Sequence, residues 1–293
     1  MESKSLKGVL RDNLIWICAL TFGLLVIGEY LGFATSAIPF PFFGKGFAET
    51  FDMYMSFWGI WAVFLIFLLL KKKSRYILSS LTYDKRGNTV KMLMFGFLAG
   101  FLLNGACALI AFLHGDFQLH FYKFEILPLI ILFIAVFIQS SAEEVVCRAF
   151  LYQRILKRYN SEALAIGVNS AFFAALHLGN NGISVSGMLD LFITGLFFSM
   201  FVYCFRSVWM AMACHTTWNF TQNILLGLPN SGNMAGYSIF MMNNGSAHNS
   251  FAFDKEFGIE GTIVAITAMT LGFAVLYLWS KRRGRARTEE EAC

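Results

Sequence analysis

Three short stretches hold side chains that could carry chemistry: Glu143-Glu144-xxx-Arg148, Phe173-xxx-His177 and His215-xxx-Asn219. Each lies in or at the end of an apolar run. A charged side chain at the centre of a membrane helix costs about 2.5–3.5 kcal/mol on insertion scales, so such residues are functional candidates by default. Helical spacing separates the two glutamates. Glu144 stands four residues before Arg148, the favoured order for an ion pair along a helix. Glu143 lies about 100° further round the helix, where no local partner is expected, and is left free for proton transfer. His215 and Asn219, also four apart, share one helix face. Carboxylate, imidazole and amide groups gathered in a membrane suit either acid–base catalysis or a proton relay.

The elements that must position these groups are membrane helices. The 293 residues are 57% hydrophobic and 14% charged, with mean hydropathy +0.60. A soluble domain carries about 25% charged residues. The pattern predicts an all-α, polytopic membrane protein of one domain spanning 1–293. About eight transmembrane helices are expected over 13–33, 53–70, 92–113, 126–158, 162–178, 185–205, 207–228 and 260–280, the fourth long or broken near Arg148. The first span is read as retained, although Ala34-Thr35-Ser36-Ala37 faintly resembles a cleavage site. Residues 34–52 and 229–259 read as loops, and Glu29 as a carboxylate at the membrane interface. Gly96-xxx-Gly100 offers a close approach between helices. The six cysteines are scattered with no CxxC pair, which argues against a disulfide framework or a zinc ribbon.

Basic residues fix an orientation. With both termini cytoplasmic, 20 of the 23 Lys and Arg fall on the inside, chiefly in 71–91, 148–158 and the tail from Lys281. Only Lys45, Lys123 and Lys255 fall outside. The net charge of +5 is thus a topology signal, not a nucleic-acid footprint. From the basic ends, helical rise puts Glu143 about 20 Å, His177 about 25 Å, and His215 and Asn219 about 14 and 20 Å into the membrane. Convergence of all four is expected near mid-bilayer. The basic segments flank the helices bearing Glu143 and His177, which predicts substrate entry from that side or laterally from the inner leaflet, with loop 229–259 capping the other.

In order and spacing, the three motifs resemble those of the CPBP/Abi family, which holds type II CAAX prenyl endopeptidases and bacteriocin-processing relatives. The resemblance covers about 126–225, including the segment from Gly195 through Ser207-Val208-Trp209. It implies an eight-helix intramembrane endopeptidase in which Glu143 and His177 activate water while His215 and Asn219 stabilise the oxyanion. Glu144 and Arg148 would be supporting residues, and Phe173 would pack. Such families are often labelled metalloproteases, and Glu143, His177 and His215 could in principle hold zinc. The HExxH pair is absent and Asn219 is a poor zinc ligand, so no cofactor and no metal are expected.

A serine mechanism lacks a GxSG setting around Ser140 and Ser141, and Asp190 stands alone, against an aspartyl pair. His114, Asp116 and His120 read as solvated loop residues, Cys147 and Cys214 as inert. The alternatives are a non-catalytic immunity or peptide-binding protein and a proton-coupled transporter. The expected partners are a membrane-associated peptide or prenylated protein and membrane lipid, with no nucleic acid. The expected location is a bacterial plasma membrane.

Overall fold

The computed structural model describes residues 13–35 and 43–291. The basic residues Lys4, Lys7 and Arg11, residues 36–42 of the first loop, and Cys293 lie outside that description. Ten α-helices position the site: α1 (Leu14–Thr35), α2 (Lys45–Met55), α3 (Trp58–Leu70), α4 (Val90–His114), α5 (Ile126–Glu144), α6 (Tyr152–Tyr159), α7 (Glu162–Leu176), α8 (Val185–Phe205), α9 (Val208–Asn219) and α10 (Ile263–Glu291). Among the described residues six helical stretches are long and apolar enough to cross a membrane: 14–35, 45–70, 90–114, 126–159, 185–205 and 263–283. The other two expected spans are α7, of 15 residues, and α9 with the turn that follows it.

Local sequence sets the helix ends. The hydroxyls of Thr89, Ser161, Ser184 and Ser207 accept from backbone N–H groups in the first turns of α4, α7, α8 and α9. Two expectations are corrected. The loop read over 34–52 contains α2 from Lys45 onward, so the second span begins earlier and bends at Ser56-Phe57. The long segment 229–259 is not all loop: Phe240–Met242 pairs antiparallel with Leu119–Phe121 as a two-stranded ribbon.

Between helices the contacts run through small residues, because lipid gives apolar side chains no reason to prefer each other. A Cβ on Gly96 would stand 2.4 Å from the Met210 carbonyl oxygen, and one on Gly100 2.0 Å from that of Cys214. The Gly96-xxx-Gly100 pair therefore seats α4 on α9. A second crossing joins α1 to α3, where a Cβ on Gly28 would lie 2.6 Å from Ile60 Cα and one on Gly59 2.2 Å from the Gly28 carbonyl oxygen. At a third, Gly195 of α8 lies against Ser170 of α7.

The long fourth helix is not broken. It passes from α5 through a π-helical segment, Val145–Leu151, into α6. A second π-helical segment, Phe220–Leu225, follows α9. Each widened turn begins directly after a polar candidate residue: after Glu143-Glu144 and after Asn219. Such insertions concentrate at functional sites because they re-aim the side chains around them.

Candidate active site

Glu144 is fully buried and accepts from Arg148 Nη1 at 3.0 Å, as the four-residue spacing predicts. Arg148 is equally buried. Its Nη2 donates to the Gly195 carbonyl oxygen at 3.1 Å, and its guanidinium lies over the rings of Phe173 and Phe198, 4.6 and 5.5 Å from their centroids. Phe173 packs, as expected, but between charged and imidazole groups: its ring centre is 4.9 Å from that of His177 and 5.9 Å from that of His215.

The support role of Glu144 extends further than the spacing implies. Its Oε1 lies 3.0 Å from His215 Nδ1, joining α5 to α9 across 71 positions of sequence. A carboxylate held by an arginine accepts only, so Nδ1 carries the proton and Nε2 is turned outward. His215 Nε2 is 3.8 Å from Glu143 Oε2. His177 has a matching arrangement. It caps the C-terminus of α7, and its Nδ1 donates to the Phe173 carbonyl oxygen at 2.9 Å. That leaves its Nε2 as the open nitrogen.

Glu143 does have a local partner, contrary to the reading from spacing. Gln139, one turn earlier, donates from Nε2 to Glu143 Oε1 at 2.5 Å. Gln139 Oε1 in turn accepts from Asn219 Nδ2 at 3.1 Å and from the Ser140 hydroxyl at 3.0 Å. Asn219 Nδ2 also donates to Ser140 Oγ at 3.1 Å. One carboxylate oxygen is thus fixed by an amide chain, while Glu143 Oε2 makes no hydrogen bond among the described residues. Any contact from Asn219 to an oxyanion requires it to exchange one of these bonds.

Glu143, His177, His215 and Asn219 line a single cavity of about 170 Å³, together with Gln139, Tyr54 and Glu29. The expected convergence is met. The expected direction of access is not. The far side of the cavity is walled by the end of α1, the α2–α3 bend, and loop residues Asn180, Asn230, Ser231 and Asn233. Its exposed lining residues, Glu29 and Asn233, mark the mouth. Towards the basic segments the chain is closed by Val145–Tyr152, every residue of which is at most 1% exposed. The π-helical turn forms this plug. The exposed lining residues thus lie away from this plug, towards the end of the bundle that holds Lys45, Lys123 and Lys255.

The remaining candidates lie elsewhere. Asp116 is not solvated. It is fully buried and accepts from His114 Nδ1 and from the Ser250 hydroxyl, both at 2.7 Å, tying the long segment to the end of α4. Cys147 and Cys214 are buried free thiols. Asp190 accepts from the Gly261 N–H at 2.8 Å. Among the described residues no three His, Cys, Asp or Glu side chains are gathered to hold a metal ion. The zinc set conceivable from sequence does not fit as placed, and no step below passes through a metal.

Sequence reasoning missed Gln139, the loop residues of the cavity, and Glu260. Gln139 had a signal, since it interrupts an apolar run one turn before Glu143. Glu260 had none. It is buried and accepts from Trp218 Nε1 at 3.0 Å and Gln222 Nε2 at 2.5 Å. Gln222 also donates to the Pro229 carbonyl oxygen at 2.6 Å and accepts from Asn104 at 2.7 Å. This network holds the start of loop 229–233 against the cavity.

The fold and site define a polytopic membrane protein with a cluster of carboxyl, imidazole and amide groups lining a cavity inside its helix bundle. Residues 125–221 match the family model described as type II CAAX prenyl endopeptidase Rce1-like. No curated protein matches the chain. The matched third of the chain holds Glu143, Glu144, Arg148, His177, His215 and Asn219, and over it the resemblance to the CPBP/Abi family is borne out. The match indicates an intramembrane protease.

Proposed function

We propose that this protein is an endopeptidase that hydrolyses a peptide bond of a membrane-associated peptide or prenylated protein, using water activated by Glu143. The observation that carries the reading is the cavity shared by Glu143, His177, His215 and Asn219, which come from three separate helical segments. Glu143 lines that cavity, and its buried Oε2, without a hydrogen bond among the described residues, is the oxygen left to take a proton from water. His177 Nε2, aimed by the Phe173 carbonyl, positions the same water. The water oxygen bonds to the peptide carbonyl carbon, and its proton passes to Glu143. His215, when doubly protonated, offers Nε2–H to the oxyanion while Nδ1–H stays on Glu144. Asn219 adds a donor once it leaves Gln139 or Ser140. When the carbon–nitrogen bond breaks, Glu143 returns its proton to the departing amine. We place the protein in a bacterial plasma membrane; the one-sided Lys and Arg distribution supports an orientation with both termini cytoplasmic.

The test is cleavage of lipidated and prenylated peptides by the full chain in liposomes, with products mapped by mass spectrometry. Wild type should cut at one bond and Glu143→Ala should not. Equal cleavage by both would defeat the proposed chemistry. Saturable binding without cleavage would point to a non-catalytic peptide-binding protein.

A further inference from the structure

Glu29 is the one charged residue in the 22 of α1, a helix otherwise apolar apart from Thr21, Thr35 and Tyr30. Sequence alone suggests a carboxylate reaching the membrane interface. The structure gives it a different setting. Gly28 and Gly32, on either side of it, press α1 onto α3 so closely that a Cβ on Gly32 would stand 1.6 Å from the Ser56 carbonyl oxygen. This crossing fixes the rotation of α1 and sets Glu29 at the mouth of the cavity that holds Glu143 and His177.

Three further observations concern charge. Among the described residues Glu29 makes no hydrogen bond or ion pair. The cavity lining contains two carboxylates, Glu29 and Glu143, and no Lys or Arg. The guanidinium nearest the site, that of Arg148, is fully buried and held by Glu144 and Gly195, so it neutralises Glu144 rather than the cavity. Two carboxylates facing one partly desolvated space favour a cation, and opposite charge at a binding site chiefly sets which partner is accepted.

We infer that Glu29 is a specificity-determining residue that takes a cationic side chain, Lys or Arg, of the peptide bound in this cavity. Binding of the cation stands apart from the proteolytic reading, and only its placement relative to a cleaved bond rests on that reading. The cationic residue would sit near the mouth, a few residues from the bond presented to Glu143. An anionic group at the same place, a glutamate or a free terminal carboxylate, would face two carboxyl groups and no Lys or Arg. At an exposed mouth an ion pair is partly screened, so a preference of about two- to fivefold for Lys over Gln is expected.

The probe is a set of N-palmitoylated decapeptides carrying a single Lys, Gln or Glu at each position in turn. They are presented to the full chain in liposomes. Both kcat/KM and binding, the latter by tryptophan fluorescence, are measured for wild type, Glu29→Gln and Glu29→Lys. At one position wild type should prefer Lys over Gln over Glu. Glu29→Gln should flatten that order, and Glu29→Lys should reverse it. An order unchanged in Glu29→Lys would overturn the inference. Equal loss on Lys, Gln and Glu peptides would overturn it too, since it would mark Glu29 as a structural or chemical group. If wild type binds the peptides with the expected order but cuts none, the proteolytic reading fails while the cation site stands.

Discussion

His215 Nδ1 and Arg148 Nη1 each lie 3.0 Å from the same atom, Glu144 Oε1. Through this oxygen a buried ion pair on one helix fixes the tautomer and direction of an imidazole on another. Glu144 therefore has two duties. It compensates Arg148, and it leaves His215 Nε2 facing the cavity and Glu143.

The two glutamates should then fail differently. Glu143→Gln keeps the hydrogen-bonding shape but removes the base, and should lower turnover by about 10²–10⁴-fold or more with the melting temperature unchanged. Glu144→Gln leaves Arg148 buried without its counter-charge, which costs about 3–5 kcal/mol. It should melt earlier in detergent as well as lose activity. If Glu144→Gln melts as wild type does and Glu143→Gln stays active, the roles are reversed.

Stability and activity should separate in a double variant. Arg148→Met alone strands Glu144 and should destabilise by about 3–5 kcal/mol. Combining it with Glu144→Leu replaces the pair by apolar groups of similar size, which is often neutral or better for stability. The double variant should regain its melting temperature without regaining turnover, because His215 has lost its Nδ1 partner. Recovery of both would mean that Glu144 acts only through Arg148.

Small residues on α4 should control the site from a distance. Gly100→Ala would place its Cβ 2.0 Å from the Cys214 carbonyl oxygen, one residue before His215. Overpacking of this kind costs about 1–3 kcal/mol and displaces α9. Gly105→Ala is the control, since a Cβ there meets nothing within 4 Å. Melting curves and turnover of both variants should show loss for the first and little change for the second. Equal behaviour would remove the α4–α9 crossing from the argument.

Chelation should leave the enzyme active. The prediction follows from the lack of three gathered ligands among the described residues. Dialysis against a strong chelator, with metal content measured by mass spectrometry, provides the check. Stoichiometric zinc lost with activity and restored with it would require a metal-based mechanism instead.

Access can be mapped with a membrane-impermeant thiol probe on single-cysteine variants in sealed vesicles, in a background freed of the native cysteines. Asn233 lines the mouth and Lys85 lies in the exposed basic segment. Asn233→Cys and Lys85→Cys should label from opposite faces. A cleavable peptide should protect Asn233→Cys alone. Labelling from one face would break the proposed topology, and protection at Lys85 would restore access from the basic side.

Much of this molecule is legible along the chain because membrane burial is a local property. An apolar run long enough to cross lipid declares itself, and Lys and Arg declare its ends. The Glu144–Arg148 pair is likewise local, four residues on one helix. Glu143, His177, His215 and Asn219, expected from helical rise to lie at similar depths, do line one cavity. What the tertiary structure decided is everything that depends on which faces meet. Gln139 reaching both Glu143 and Asn219, Glu144 reaching His215, and Glu29 turning into the cavity all require helix rotations set by glycine crossings far apart in sequence. The open end of the cavity is of the same kind. Charge counting locates the basic side, but only the filled π-helical turn Val145–Leu151 shows that this side is closed. A π insertion leaves no periodic signature in so short a stretch, because its extra residue shifts the register only after the site has been passed.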